Sequence, residues 1–225
     1  MKIGIIGSGV VGQTLGAALK SKGHDIRLGV RSVSQADLDK PRDRAETLRQ
    51  WQAKTHVDIV TFAQAAAFGE IVINATGGGV SLQALEIAGA AAIGEKILID
   101  VSNPGDFSTG TLTSLPHLTN TTSVGEEIQK AFPKAKVVKT LNTAYIGVGV
   151  NATLVGDGEG DMFIAGNDAQ AKATVEALLK RDFNWKNVVD LGDIVGARSM
   201  EQFLILWFRL FGLRGTPLFG VKLVG

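Results

Sequence analysis

Short apolar runs and stretches with apolar residues at helical spacing succeed one another from the N-terminus to about Gly192. Ile3–Ile6 reads as a first strand. Val11, Leu15, Ala18 and Leu19 then recur at the spacing of one helix face, and Lys20, Lys22 and Gly23 supply the helix end. Asp25–Val30 reads as a second strand, and residues 36–54 as one charged helix with Ala45, Leu48 and Trp51 turned inward. Val57–Val60 and Ile71–Ala75 are predicted strands flanking a short helix over Phe62–Phe68. A helix over Leu82–Ala92, a strand over Lys96–Val101, a helix over Ser123–Phe132 and a strand over Val137–Thr140 follow. Asp161–Ala165, Ala169–Arg181 and Val188–Leu191 form a last strand–helix–strand unit, before an apolar helix over Val195–Leu213 and a Gly/Pro-broken tail. Such alternation predicts an α/β fold with a mostly parallel sheet covered on both faces. The loops at Asn103–Pro116 and Asn151–Gly160 are expected to be the most mobile segments.

The first of these transitions carries the strongest motif. Gly7-Ser8-Gly9-Val10-Val11-Gly12 fits G-x-G-x-x-G directly after a strand and at the start of a helix. Gly7 permits the tight turn, Gly9 lets backbone approach a pyrophosphate, and Gly12 lets helix and strand pack closely. The helix N-terminus would then face the phosphates with free N–H groups. This points to a Rossmann-type doubly wound sheet over residues 1–193, with residues 194–225 as a small helical C-terminal extension. At the end of the second strand an NAD site usually carries a carboxylate, whereas this chain reads Gly29-Val30-Arg31-Ser32. A guanidinium grips a 2′-phosphate, Ser32 can donate to it, and Gln35 lies within reach, so NADP(H) is the expected nucleotide. Three later strand ends should line the same crevice: Asn74-Ala75-Thr76-Gly77, Ser102-Asn103-Pro104-Gly105 and Thr140-Leu141-Asn142-Thr143.

Composition narrows the chemistry. Formal net charge is +1, so no field of one sign recommends nucleic acid or an anionic membrane as partner. The absence of cysteine excludes disulfides, thiol nucleophiles and Fe–S clusters. His24, His56 and His117 show no metal-ligand spacing, and Asp157-Gly158-Glu159-Gly160-Asp161 lacks the ligand order of a calcium loop, so no metal site is expected. His24 is read as a structural residue at its turn. No secretory pattern follows the N-terminus and the apolar stretch Phe203–Leu213 is too short to span a bilayer, so a cytoplasmic protein is expected.

No catalytic residue is assigned. Lys139 sits near a strand end, where it either acts as an acid/base or points to solvent, and Tyr145 has no Tyr-x-x-x-Lys partner. A sparse acid/base set suits hydride transfer between two flat rings, which needs proximity and exclusion of water more than a proton donor. The stretch Met200–Phe211, apolar nearly all round, is expected to be buried as core, as a homodimer contact, or as a substrate wall presenting Trp207.

With Gly7–Gly12 and Gly29-Val30-Arg31-Ser32, an ordered set of further segments extends to the C-terminus. These are Asp100-Val101-Ser102-Asn103-Pro104, Val138-Lys139-Thr140-Leu141-Asn142-Thr143, Phe163-Ile164-Ala165-Gly166-Asn167-Asp168, Val189-Asp190-Leu191-Gly192 and Gly220-Val221-Lys222-Leu223. In these the chain resembles the deazaflavin-dependent NADP oxidoreductases, which exchange hydride between NADP(H) and coenzyme F420. The resemblance implies that Ser8, Gly9, Val10, Val11, Arg31 and Ser32 hold NADP, that Thr76 lies along it, and that Asn142 and Thr143 lie beside the nicotinamide and its partner ring. Asn142 stands where deazaflavin-using members would be expected to carry histidine, which leaves the acceptor open between coenzyme F420 and FMN or FAD. Two further readings stay open: reduction of a small carbonyl or imine with Lys139 or Asn142 positioning it, and an NADP(H)-binding redox sensor.

Overall fold

A computed structural model describes residues 1–41, 46–106, 108 and 113–225. The chain opens with β1 (Lys2–Ile6), α1 (Val10–Ser21), β2 (Asp25–Val30), α2 (Gln35–Asp39), α3 (Leu48–Thr55), β3 (Asp58–Thr61) and α4 (Phe62–Phe68). It continues through β4 (Ile71–Asn74), α5 (Gly78–Ala88), α6 (Ala90–Ile93), β5 (Ile97–Asp100), and a small antiparallel pair, β6 (Gly105–Asp106) and β7 (Thr113–Ser114). Then come α7 (Val124–Ala131), β8 (Lys136–Thr140), α8 (Ile146–Gly149), β9 (Asp161–Gly166), α9 (Ala169–Phe183), β10 (Asn187–Asp190) and α10 (Gly196–Arg214).

Among the described residues eight strands form one sheet in the order β3-β2-β1-β4-β5-β8-β9-β10. Neighbours run parallel except β8 and β9, so the last two strands point opposite to the rest. Both sheet faces are covered, and successive strand residues therefore enter different cores. Ile71, Ile73, Ile99 and Val138 pack on the face of α1, α3 and α9. Val72, Leu98 and Val137 pack on the face of α4, α5 and α7. This is why the strands read as unbroken apolar runs rather than as alternation. Ile194 and Ala197 join the second core, seating the start of α10 against the sheet.

Two expected helices are divided. The single helix over 36–54 becomes α2 and α3, because Pro41 disfavours helical backbone in the residue before it, and Lys40 is extended at φ −61°, ψ 127°. Leu48 and Trp51 are buried as expected, while the expectation for Ala45 lies outside the described residues. The helix over 82–92 starts earlier, at Gly78, and breaks at Gly89, whose φ of +94° no helix accommodates. The chain between Asn151 and Gly160 winds through two 3-10 turns, and the C-terminal tail ties down beside it, with Leu223 N–H donating to Asp161 Oδ2 at 2.6 Å. No helix among the described residues is long and apolar enough to cross a membrane.

His24, buried at the start of β2, donates from Nε2 to Asp182 Oδ2 at 2.9 Å and so pins the end of α9 to the α1–β2 turn. Burial pushes the Asp182 carboxyl up, but hydrogen bonds from Arg181 and His24 outweigh it and hold the group below its ordinary value. Asp182 therefore stabilises the fold above the unfolded carboxyl pKa of about 3.9, and that contribution is lost as pH falls through the lower folded value. Asp182→Asn is expected to cost about 1–3 kcal/mol at neutral pH. It should also flatten the fall in melting temperature below about pH 4, measured by calorimetry across pH.

Candidate functional site

A crevice opens at the carboxyl ends of β1, β2, β4 and β5, where the strand order reverses between β1 and β4. Doubly wound sheets place their ligands at such a switch point. The glycine loop shapes its floor. Gly7 has φ +114°, and a Cβ there would lie 2.6 Å from the Ala75 carbonyl oxygen. A Cβ on Gly12 would lie 1.9 Å from the Gly7 carbonyl oxygen, so α1 can approach β1 only without a side chain. Gly9 differs: a Cβ there meets no protein atom, because this backbone faces the open crevice. Gly9 and Gly77 are also the N-caps of α1 and α5, and neither helix start has a side-chain cap. Two sets of backbone N–H groups are thus left without side-chain acceptors, one on each side of the crevice, as an anionic ligand requires.

The crevice has two chambers. The first, of about 470 Å³, lies between Gly7, Ser8 and Gly9 on one side and Ala75, Thr76 and Gly77 on the other. Its outer end is formed by Arg31, Ser32, Asp37 and Lys40. Asp37 is engaged by Ser34, whose hydroxyl donates to Oδ2 at 2.5 Å, while Arg31 and Lys40 are exposed cations. The second chamber, of about 310 Å³, shares Gly9 and Ala75–Gly77 with the first. Val10 and Val11 close one side, Ser102, Asn103 and Gly105 form the floor, and Leu204 and Phe208 of α10 form the far wall. Among the described residues none of its lining side chains is ionisable.

Several expected residues stand elsewhere. Gln35 is turned to Arg49, whose guanidinium donates to Oε1, and it does not line the crevice. Pro104 is buried, its carbonyl accepting from Leu115 N–H at 2.7 Å, while its neighbours Asn103 and Gly105 face the chamber. Asn142 and Thr143 are buried behind the floor rather than lining it. Asn142 Nδ2 donates to Asn103 Oδ1 at 3.0 Å, and Asn103 Nδ2 donates to the Asn142 carbonyl at 2.8 Å. Trp207 stacks between Phe211 and Phe219, at 5.6 and 5.3 Å, and the residue presented to the chamber is its neighbour Phe208. The expected burial of the whole apolar stretch is also corrected. Ala197, Met200 and Leu204 are buried, but Ile205, Leu206 and Leu213 are exposed on the outer face of α10.

Beneath the floor lies a charged network. Lys139, on β8, neither reaches solvent nor lines the crevice: it is wholly buried. Its Nζ donates to Asp100 Oδ2 at 2.7 Å and to the Ser102 carbonyl at 2.6 Å, and sits 2.7 Å from Glu201 Oε1. Glu201, on α10, also accepts the N–H groups of Val124 and Gly125 at 2.8 and 3.0 Å, capping α7. Asp100 Oδ1 accepts from Asn74 Nδ2 at 2.8 Å, and Asn74 Oδ1 accepts from the Thr76 hydroxyl at 2.7 Å. Burial pushes Lys139 toward neutrality, but the two carboxylates outweigh it and hold its pKa above the ordinary value. Burial, with repulsion from Asp100 added, raises Glu201 above the usual carboxylate range. A signal for this network existed in the sequence, since Lys139 stands in an apolar strand and Glu201 in an apolar helix, and such charges persist only when paired.

This fold and crevice define a Rossmann-type α/β protein with a dinucleotide-type crevice at its switch point. A family model described as NADP oxidoreductase, coenzyme F420-dependent, matches residues 2–104. A solved structure from Arthrobacter sp. FB24, provisionally assigned as an F420-dependent NADP reductase, is 44% identical over the whole of both chains with a TM-score of 0.92. The chain belongs to the coenzyme F420-dependent NADP oxidoreductase family. Two more distant structures share the fold. One, from Sinorhizobium meliloti, is 22% identical (TM-score 0.62) over all of this chain and 96% of its own. The other, an imine reductase from Streptomyces aurantiacus, is 18% identical (TM-score 0.62) over 95% of this chain and 64% of its own. No curated protein matches the sequence.

The burial of Lys139 between two carboxylates predicts a large penalty for its removal. Lys139→Ala should lose about 3–5 kcal/mol of unfolding free energy in denaturant titration, since two carboxylates are left buried without their cation.

Proposed function

We propose that the protein transfers hydride between NADPH and a deazaflavin or flavin-type ring. The observation that carries this reading is the second chamber, which adjoins the glycine loop yet, among the described residues, is lined by no ionisable side chain. NADPH supplies a hydride from C4 of its nicotinamide, leaving NADP⁺, and a flat acceptor ring takes the hydride with one proton from solvent. The protein's part is then to bind, orient and exclude water. In this reading Gly7, Ser8 and Gly9 cradle the pyrophosphate, Val10 and Val11 flank the nicotinamide, and Ala75, Thr76 and Gly77 lie along the ribose. Open backbone at Gly9 and Gly77, where a Cβ would find only free space, fits such a ligand. Arg31, Ser32 and Lys40 grip the 2′-phosphate, the two cations outweighing Asp37.

Reduction of a small carbonyl or imine is less well supported, because it calls for a proton donor and Lys139 is sequestered below the floor. Coenzyme F420 is the acceptor favoured by the family, with FMN and FAD as the alternatives. The exposed Ile205, Leu206 and Leu213 support pairing of two copies along α10, which sedimentation would test.

Fluorescence titration should show NADPH binding far more tightly than NADH, and equal affinities would overturn the 2′-phosphate reading. Arg31→Ala should weaken NADPH by about tenfold to a hundredfold, as expected for charge-assisted hydrogen bonds, and leave NADH unchanged. In a panel of coenzyme F420, FMN and FAD, NADPH oxidation coupled to reduction of one ring supports the reaction. No turnover with any ring refutes it.

A further inference from the structure

The buried network joins the two sides of the second chamber. Glu201, Leu204 and Phe208 are spaced i, i+3 and i+7 and so share one face of α10. Glu201 is held from below while the two apolar residues form the wall. On the other side Lys139 holds the carbonyl of Ser102, the floor residue, and Asp100 accepts the Ser102 N–H at 3.2 Å. Through Asn74 the same Asp100 reaches Thr76, which lines both chambers. Floor and wall, drawn from segments far apart in the chain, are therefore connected by one ammonium.

We propose that Lys139 and Glu201 are a positioning pair that fixes the separation of the Ser102–Asn103 floor from the Leu204–Phe208 wall, and with it the stacking of the rings that exchange hydride between them. The inference rests on the hydride-transfer reading above. Stability is a poor reason for such a group, because apolar side chains of similar volume hold a core as well or better without desolvating three charges. Short charge-assisted bonds in a low-dielectric interior supply defined geometry instead. Ring-to-ring transfer is sensitive to that geometry, since a misplacement of about 1 Å costs on the order of a hundredfold in rate. The pair does not touch the first chamber, so nucleotide affinity should be independent of it.

Two variants separate positioning from folding. Glu201→Gln keeps one oxygen, which can still accept from Gly125 N–H and Lys139, but it sets an amide N–H against the Val124 N–H and cannot serve all three donors. Lys139→Met/Glu201→Gln removes the cation together with one carboxylate, and leaves Asp100 on its Asn74 and Ser102 donors. For each, NADPH affinity, the fluorescence enhancement of bound NADPH and the single-turnover rate of hydride transfer to coenzyme F420 are measured beside the melting temperature. In folded variants NADPH affinity should be unchanged, the enhancement should fall, and the rate should drop by about a hundredfold. Unchanged enhancement and rate in a folded variant overturn the proposal, as does loss of NADPH binding in both variants. If the wild type reduces no flat ring, only the acceptor reading falls, because the fluorescence comparison needs no acceptor.

Discussion

Everything at the nucleotide end of this molecule depends on the contact between Gly12 and the carbonyl of Gly7. With hydrogen in place of a side chain, α1 settles against the end of β1, at a distance that even one methyl group would forbid. That approach aims the uncapped start of α1 into the crevice and leaves Gly9 as bare backbone on its surface. The loop after β4 is constrained by the same geometry, because Gly7 lies against the Ala75 carbonyl. In the proposed reading a phosphate-binding surface thus follows from packing rather than from any charged side chain, with Arg31 and Lys40 at its rim.

The second chamber is organised differently. Among the described residues its lining carries no ionisable group, while directly beneath it a lysine and two carboxylates are shut away from water. The charged groups sit in the support under the chamber rather than in its lining. On the hydride-transfer reading this keeps ionisable side chains off the reacting rings, while strong directional bonds still act on the chamber's shape.

Much of this was legible in the sequence, and the exceptions have physical causes. The sheet showed because buried parallel strands are apolar at every position, as in Ile97–Ile99 or Val137–Val138. The glycine loop showed because its spacing is a steric requirement. Pro41 is visible as well, and its effect on Lys40 is what divides the predicted helix over 36–54. The pairing of Lys139 with Asp100 and Glu201 could not be read, since it depends on which strands become neighbours and on the path of α10. Nor could the choice of Phe208 over Trp207 at the chamber, because a helix apolar on all sides carries no phase, and one step along it turns the side chain by about 100°. Gln35 is near the crevice along the chain, but Arg49 on another helix holds its side chain.

The reversal of strand direction between β8 and β9 has an architectural consequence. Because β9 runs against its neighbour, it ends at the edge of the sheet away from the crevice, and Ile194 N–H bonds there to Asn167 just beyond it. The last helix accordingly starts at the far edge and climbs, arriving at the mouth with Leu204 and Phe208. The wall of the second chamber is thereby encoded in α10, a segment that the glycine loop does not share. On the hydride-transfer reading, substitutions in α10 would change which ring the chamber admits and leave the dinucleotide half as it is, so one scaffold could be re-fitted to new electron acceptors from its last helix.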